Sequence, residues 1–223
     1  MTRVAFATAV AASAAALTWN NIVVPRQQWG WRTRTITHAG VGIGAVLCAR
    51  AAGVTSRELH VDTAMKLRPR YQVAAGIAAS GLAAAAVVST GIASRSGDRG
   101  TTPQPEPERP LAEWVLFHIP LGTVVAEELL FRATINALWW RALPDPWSRT
   151  VGAAVFGLWH IAPAGGWGAG GSRVVATVGA TALAGVGFTA LTKRYDSVLA
   201  AALVHYVVNA GGAVIAHVSS LES

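Results

Sequence analysis

Long apolar runs separated by short basic segments are the feature that most constrains what this chain can fold into. A helix needs about 20 mainly apolar residues to cross the hydrocarbon core of a bilayer. The charged fraction is 13%, well below the roughly 25% that is usual in soluble domains. We therefore predict an all-α fold, a polytopic transmembrane helical bundle of about seven spans with no separate soluble domain. The predicted spans are residues 4–24, 37–54, 71–93, 111–140, 150–162, 173–192 and 197–218.

A polar, proline-rich segment divides the chain into two parts. Residues 94–110 read "SRSGDRGTTPQPEPERP", a composition that is typical of an extended, exposed linker. We predict a three-span N-terminal segment at residues 1–93, this linker, and a C-terminal membrane core at residues 111–218. The first apolar run could also be a cleaved signal peptide, but its apolar character resumes at Ile22, which favours a retained span.

The formal net charge is +7, and the Lys and Arg residues flank the apolar runs. Cations in such positions orient membrane helices and bind anionic headgroups. We therefore predict membrane lipids as partners and no binding of nucleic acid. The predicted inner segments hold more of these cations than the outer ones, which favours a cytoplasmic N terminus. The Ala- and Arg-rich composition suggests a bacterium of high GC content, and so an integral protein of the bacterial plasma membrane.

Ionisable and amide side chains interrupt three of the apolar runs. A charge near the centre of a bilayer costs about 2.5–3.5 kcal/mol on insertion scales, so such residues usually face a bundle interior and mark function. The helical rise of about 1.5 Å per residue places the three sets at a similar depth, as a single internal site requires. The residues are Glu127, Glu128 and Arg132 on the fourth run, His160 on the fifth, and His205 with Asn209 on the seventh.

Spacing along the helices suggests how these residues divide the work. Glu128 and Arg132 are four residues apart and can form an ion pair, whereas Glu127 points about 100° away and is predicted to be the reactive carboxylate. His205 and Asn209 share one face and could bind an oxyanion. Each set also has a structural reading, as a packing pair, a backbone hydrogen bond or interhelical contact. The remaining histidines fall at span ends, in loops or beside a proline and receive no role: His38, His60, His118 and His217.

Three short motifs resemble, in order, the signature motifs of the CPBP intramembrane proteases: "EELLFR" from Glu127, "FGLWH" ending at His160, and "HYVVN" from His205. This family takes in type II CAAX prenyl endopeptidases and bacteriocin-processing or immunity proteins. The likeness covers residues 111–216, so the core at 111–218 is expected to be a CPBP-like catalytic unit. "GVTSRELHV", residues 53–61, also looks like a short element found between early helices of such proteins.

The resemblance implies an all-helical membrane endopeptidase acting on a peptide bond of a membrane-associated or lipidated substrate. Glu127 and His160 would activate a water, and His205 and Asn209 would stabilise the oxyanion. Glu128 and Arg132 would order the site.

The same residues raise the question of a metal. Glu127, His160 and His205 together could ligate zinc or another divalent metal and leave one position open. The H-E-x-x-H helix that would make zinc a strong prediction is absent from the sequence. Two other functions stay open: a non-proteolytic immunity or scaffold protein of the same fold, and a transporter that uses the buried carboxylate and imidazoles.

Overall fold

The computed structural model describes residues 3–61, 110–166 and 171–221. These residues form helices joined by turns, without a strand, which confirms the predicted all-α class for this part of the chain. In chain order the helices are α1 (Arg3–Arg26), α2 (Trp31–Ala51), α3 (Leu111–Ala142), α4 (Trp147–Trp159), α5 (Gly171–Tyr195) and α6 (Val198–Leu221).

Four of the helices in the described part of the chain are long and apolar enough to cross a membrane: α1, α3, α5 and residues Val198–His217 of α6. The α2 helix is long enough but is not among them, because its first half carries two arginines and a histidine. The α4 helix has 13 residues, and so is about 20 Å long, too short for a hydrocarbon core of about 30 Å. The predicted count of seven spans is therefore not confirmed. The third predicted span, 71–93, and the linker, 94–110, lie outside the described residues.

Helix α3 lies at the centre of the bundle and contacts α1, α2, α4, α5 and α6. Its buried face carries Phe131, which packs edge-on against Phe156 and Trp159 of α4 with ring centroids 5.0 and 5.2 Å apart. Phe188 of α5 closes this group from the other side. The aromatic cluster packs α3, α4 and α5 against one another directly beside Glu128, Arg132 and His160, so the core and the polar residues share one location.

Two helix crossings depend on the absence of a side chain. A Cβ on Gly42 of α2 would lie 2.6 Å from the carbonyl oxygen of Ala126 in α3. A Cβ on Gly157 of α4 would lie 2.6 Å from the carbonyl oxygen of Val178 in α5. Small residues allow backbones to approach in this way in membrane bundles. Both crossings are next to predicted site residues, since Ala126 directly precedes Glu127 and Gly157 lies one helical turn before His160.

The hydrogen-bond pattern of α3 departs from the regular α-helix on both sides of Glu127. Residues Trp114–Val125 and Glu128–Ile135 are π-helical, with bonds that span five residues instead of four. Pro120 lies within the first of these segments and has no N–H to donate. Glu127 itself is at the junction between the two, a placement in keeping with the frequent occurrence of π-helical turns at functional sites.

At one end of the bundle, ion pairs tie the loops to the helices. Arg141 at the end of α3 donates to both carboxylate oxygens of Glu58 at 2.7 Å and to the carbonyl oxygen of Gly53 at 2.8 Å. Asp145 accepts from Arg149 at 3.0 Å and from Lys193 at 2.6 Å. The segment 53–61, singled out in the sequence, is thus held against the last turn of α3.

Candidate functional site

The carboxylate of Glu127 lies at the meeting point of three helices. Its side chain is buried, and Oε1 accepts a hydrogen bond of 3.1 Å from the indole Nε1 of Trp159. The other oxygen, Oε2, lies 3.9 Å from Nε2 of His160 and 3.8 Å from Nε2 of His205, and it has no hydrogen-bond partner among the residues that the structure describes. The structure therefore brings the predicted carboxylate and both predicted imidazoles around one oxygen atom.

The outer nitrogens of the two imidazoles determine what the inner nitrogens can do. Nδ1 of His160 is 2.8 Å from the carbonyl oxygen of Phe156, which can only accept, so Nδ1 carries the hydrogen. Nδ1 of His205 is 2.9 Å from Oε1 of Glu128, and a carboxylate likewise accepts. In their neutral forms both imidazoles therefore present an Nε2 lone pair to the Glu127 carboxylate. Three acceptor atoms face one gap, and only a proton, a water or a cation can bridge them.

Glu128 and Arg132 form the buried ion pair that their spacing predicts. Nε of Arg132 is 3.4 Å from Oε2 of Glu128, and both side chains are almost fully buried. The guanidinium lies over the rings of Phe156 and Phe188, 4.0 and 5.0 Å from their centroids. Because Glu128 also bonds His205, the arginine holds the carboxylate that orients an imidazole of the site.

Asn209 lies one turn beyond His205 on α6 and is half-buried. Its Nδ2 donates to the carbonyl oxygen of His205 at 3.0 Å. An amide nitrogen carries two hydrogens, and the Asn209 side chain lines the same cavity as Glu127 and His160. The amide therefore has the donor that an oxyanion needs.

His160 lies in a turn and not inside a span as the sequence analysis predicted. Helix α4 ends at Trp159, and the turn that follows is closed by a bond of 3.0 Å from the Ala164 N–H to the His160 carbonyl oxygen. Pro163 cannot continue a helix, and Gly165 and Gly166 adopt positive φ angles of 101° and 68°. This local sequence stops the helix in the interior of the bundle, which leaves His160 at its tip.

A cavity of about 400 Å³ opens beside the Glu127 carboxylate. It lies where α1 and α4 end and α2 and α3 begin. The sequence pattern assigned no role to some of the residues that line it. These include Asn20, Arg34, His38 and His118. The predicted span began at residue 37, which left Arg34 in a loop and His38 at the span end, whereas α2 begins at Trp31 and includes both residues. Their spacing of four residues was the signal that could have placed them on one helix face.

The site offers the donor atoms that a divalent metal needs. One carboxylate and two imidazoles whose Nδ1 atoms are held by oxygen acceptors are the ligand types and orientations typical of zinc. Among the described residues, however, no group of three or more His, Cys, Asp or Glu side chains has the geometry of a metal site. Ligand atoms about 2.0–2.1 Å from a tetrahedral zinc are roughly 3.4 Å apart, whereas the separations here are 3.8 and 3.9 Å. The chemistry fits, and the spacing would have to contract by several tenths of an ångström.

Comparison with known proteins gives a match to a family model. Residues 109–211 match the family described as Rce1-like, type II CAAX prenyl endopeptidase. The matched segment begins just before α3 and includes all three motifs, from Glu127 to Asn209. No curated protein and no solved structure matches the chain.

Proposed function

We propose that this chain, whose residues 109–211 match the Rce1-like family model, is an intramembrane endopeptidase of the CPBP family. The family supports a protease function, and four apolar helices among the described residues support a place in the membrane. The substrate class we propose is a membrane-associated or lipidated protein that is cut at a peptide bond. The observation that carries this function is the convergence of two imidazole Nε2 atoms on Oε2 of Glu127, within 4 Å, at the wall of a cavity.

In the proposed reaction, Glu127 is the general base. A water in the gap at Oε2 gives a proton to this carboxylate as its oxygen attacks the carbonyl carbon of the scissile peptide. Nε2 of His160 accepts a hydrogen bond from the second O–H of that water and so fixes the direction of attack. The proton on Glu127 then passes to the leaving amine, which breaks the carbon–nitrogen bond and restores the carboxylate.

Oxyanion stabilisation is proposed for His205 and Asn209. The Asn209 amide supplies one N–H, and donors of this kind act most strongly in a site from which water is excluded. His205 can donate from Nε2 only when that nitrogen carries a proton, because Nδ1 already donates to Glu128. The proposal therefore needs His205 as an imidazolium when the tetrahedral intermediate forms.

The test of this function compares Glu127→Gln with Glu113→Gln. Both residues are on α3, but Glu113 is a partly exposed partner of Arg32, far along the helix from the site. We expect Glu127→Gln to lower cleavage by roughly 10²–10⁴-fold, the usual contribution of a general base, and Glu113→Gln to leave it unchanged. The measurement is a mass-spectrometric comparison of membrane-protein fragments from cells that produce each variant at equal abundance. Unchanged fragments with Glu127→Gln would favour the immunity or scaffold function.

As an alternative to the scheme with a protonated His205, we propose that Glu127, His160 and His205 hold a divalent metal such as zinc, which would act there as a Lewis acid on the attacking water. The test is elemental analysis of the purified protein beside the His160→Ala and His217→Ala variants. We expect about one metal ion per chain in the parent and in His217→Ala, and loss of the ion in His160→Ala. Equal metal content in all three proteins would contradict this part of the proposal.

The same proposal extends to the protein's place in the cell. We propose the plasma membrane of a bacterium, with the N terminus in the cytoplasm and membrane lipids around the apolar helices. The excess of Lys and Arg in the segments between alternate spans supports this orientation. Cysteine-accessibility labelling at Arg32 and Arg149, which lie at opposite ends of the described bundle, would establish it.

A further inference from the structure

We propose that Asn20 and Asn21 are positioning residues that hold the tip of α4 so that the His160 imidazole faces Glu127. The inference deepens the proposed hydrolytic function and rests on it. Both asparagines are on α1, outside the segment that matches the family. The N-terminal helix would then be part of the site and not merely an additional span.

The last four carbonyl groups of a helix have no partner within that helix. Where a helix ends inside the bundle, away from bulk water, the protein supplies partners for these groups. At the end of α4 the histidine pairs two of them itself, through its side chain and its backbone N–H. The asparagines of α1 donate to the other two, of which Leu158 also accepts from the Ile161 N–H at 3.3 Å. The acceptors are Phe156 and Gly157, bonded by His160 at 2.8 and 3.0 Å, Leu158, bonded by Asn21 at 2.9 Å, and Trp159, bonded by Asn20 at 2.7 Å.

Asn21 also holds the chain on the far side of the histidine. Its Oδ1 accepts a bond of 2.9 Å from the backbone N–H of Ala162. The two amides therefore hydrogen-bond the backbone immediately before His160 and two residues after it. A rotation of this turn would carry the imidazole away from Oε2 of Glu127, from which it is only 3.9 Å distant.

The local structure of α1 explains how neighbouring asparagines reach one helix end. Residues Trp19–Val23 form a π-helical turn, in which the Val24 N–H bonds the Trp19 carbonyl oxygen five residues back. The wider turn brings two consecutive side chains onto the surface that faces α4. Asn20 is buried and lines the cavity beside the Glu127 carboxylate.

A second buried contact anchors α1 elsewhere and offers a matched control. The indole Nε1 of Trp139 in α3 donates to Oγ of Ser13 at 3.1 Å, with both groups buried. Ser13 and Asn20 are on the same helix and both join it to the core by a hydrogen bond. Only the asparagine, however, touches the turn that carries His160. Loss of either bond weakens packing, but only loss of the asparagine contact would move the imidazole.

The experiment compares Asn20→Leu, Asn21→Leu and the double variant with Ser13→Ala. Leucine keeps a similar volume and suits the membrane, but it removes the amide. Three quantities are measured on the full chain in detergent: Tm, kcat and KM for a substrate cut in a Glu127-dependent manner, and the rate at which diethyl pyrocarbonate modifies His160, read by peptide mass spectrometry.

We expect each asparagine variant to lower kcat by about 10-fold and the double variant by about 100-fold, with KM little changed, because a displacement of about 1 Å can have that effect on rate. The His160 modification rate should rise several-fold. Ser13→Ala should lower Tm while kcat and the modification rate stay at parent values. If the double variant keeps the parent kcat and the parent modification rate, the positioning role is wrong. If Ser13→Ala changes both as strongly, the asparagines are only packing residues.

The labelling measurement separates this inference from the proposed function. If the parent protein cleaves nothing, the hydrolytic function fails, yet a faster modification of His160 in the double variant would still support the positioning role of Asn20 and Asn21. If Glu127-dependent cleavage is found and the asparagine variants leave both kcat and the modification rate unchanged, only the positioning role fails. An active mature protein whose intact mass lacks the first helix would also overturn it.

Discussion

At the scale of single residues, Arg132 has the largest fully buried side chain among the described residues, and that side chain is charged. It is 1% exposed in the centre of an apolar bundle. Its charge is balanced by Glu128 at 3.4 Å and by the faces of two phenylalanine rings, but its Nε and Nη2 atoms have no hydrogen-bond partner within the described part of the chain. A buried pair of this kind depends on both members, because removal of one leaves an uncompensated charge.

We expect Arg132→Leu to lower the free energy of unfolding by about 3–5 kcal/mol, since it leaves the Glu128 carboxylate buried with the His205 imidazole but without its arginine partner. Arg149→Leu is the matched control, because Arg149 and Asp145 have the same spacing of four residues at an exposed position and Asp145 keeps Lys193 as a partner. That change should be worth about 1 kcal/mol or less. Unfolding in detergent, followed by circular dichroism, measures both, and similar losses in the two variants would contradict the argument.

The individual site residues illustrate what a sequence can and cannot predict. Ionisable groups are rare in apolar runs, which made five of the site residues recognisable: Glu127, Glu128, Arg132, His160 and His205. The spacing of four residues between Glu128 and Arg132 also implied a shared helix face. The structure brings them together as expected, while their catalytic roles stay proposals. Asn20 and Asn21 gave no such signal. Their partners are 139 and 137 residues away, and nothing local announces a contact over that distance.

At the scale of the elements, the short helix α4 decides the geometry of the site. The apolar composition of residues 150–162 predicted a membrane span, but composition reports only the environment of a segment and not whether it crosses. The observed helix ends inside the bundle and is held from three sides, by the aromatic cluster, by α1 and by α5. The contact with α5 is the closest of these, and it passes through Gly157.

We expect Gly157→Ala to destabilise the fold by about 1–3 kcal/mol, because the new methyl group would meet the backbone oxygen of Val178, which cannot rotate away. Gly179→Ala on α5 has no atom within 4 Å of the added methyl group and should instead stabilise the helix by about 0.5–1 kcal/mol. Thermal unfolding of the two variants side by side tests the contrast. A lower Tm with Gly179→Ala and an unchanged one with Gly157→Ala would reverse the packing argument.

At the scale of the whole molecule, the two ends of the described bundle differ in character. The end that holds the Asn20–Arg34–His118 cavity gives access towards Glu127. The opposite end is tied by the Arg141–Glu58 pair and by the links of Asp145 to Arg149 and Lys193. We therefore expect a substrate to enter at the cavity end, while the ion pairs at the opposite end keep the helices in place.

The Arg141–Glu58 ion pair should make stability depend on pH in the acid range. Hydrogen bonds from Arg141 are the main cause that lowers the pKa of Glu58 from its ordinary 4.5 to about 2. Because the folded pKa is the lower one, the carboxylate stabilises the fold fully above pH 4.5, and this contribution is lost as the pH falls towards 2. We expect the difference in Tm between the parent and Glu58→Gln to be constant above about pH 5 and to shrink to zero near pH 2. A difference that does not change between pH 6 and pH 2 would show that the tie is not electrostatic.

The two amides that hold α4 also bear on the order in which the protein is made. Helix α1 leaves the ribosome well before the carbonyl groups of residues 158 and 159 exist, since 139 residues separate Asn20 from its acceptor. Amides without a partner are costly in hydrocarbon. We therefore expect the first helix to rest near the headgroups, or against the insertion machinery, until the later helix arrives. The final depth of the N-terminal helix would then be set late in biosynthesis, when the C-terminal half folds onto it.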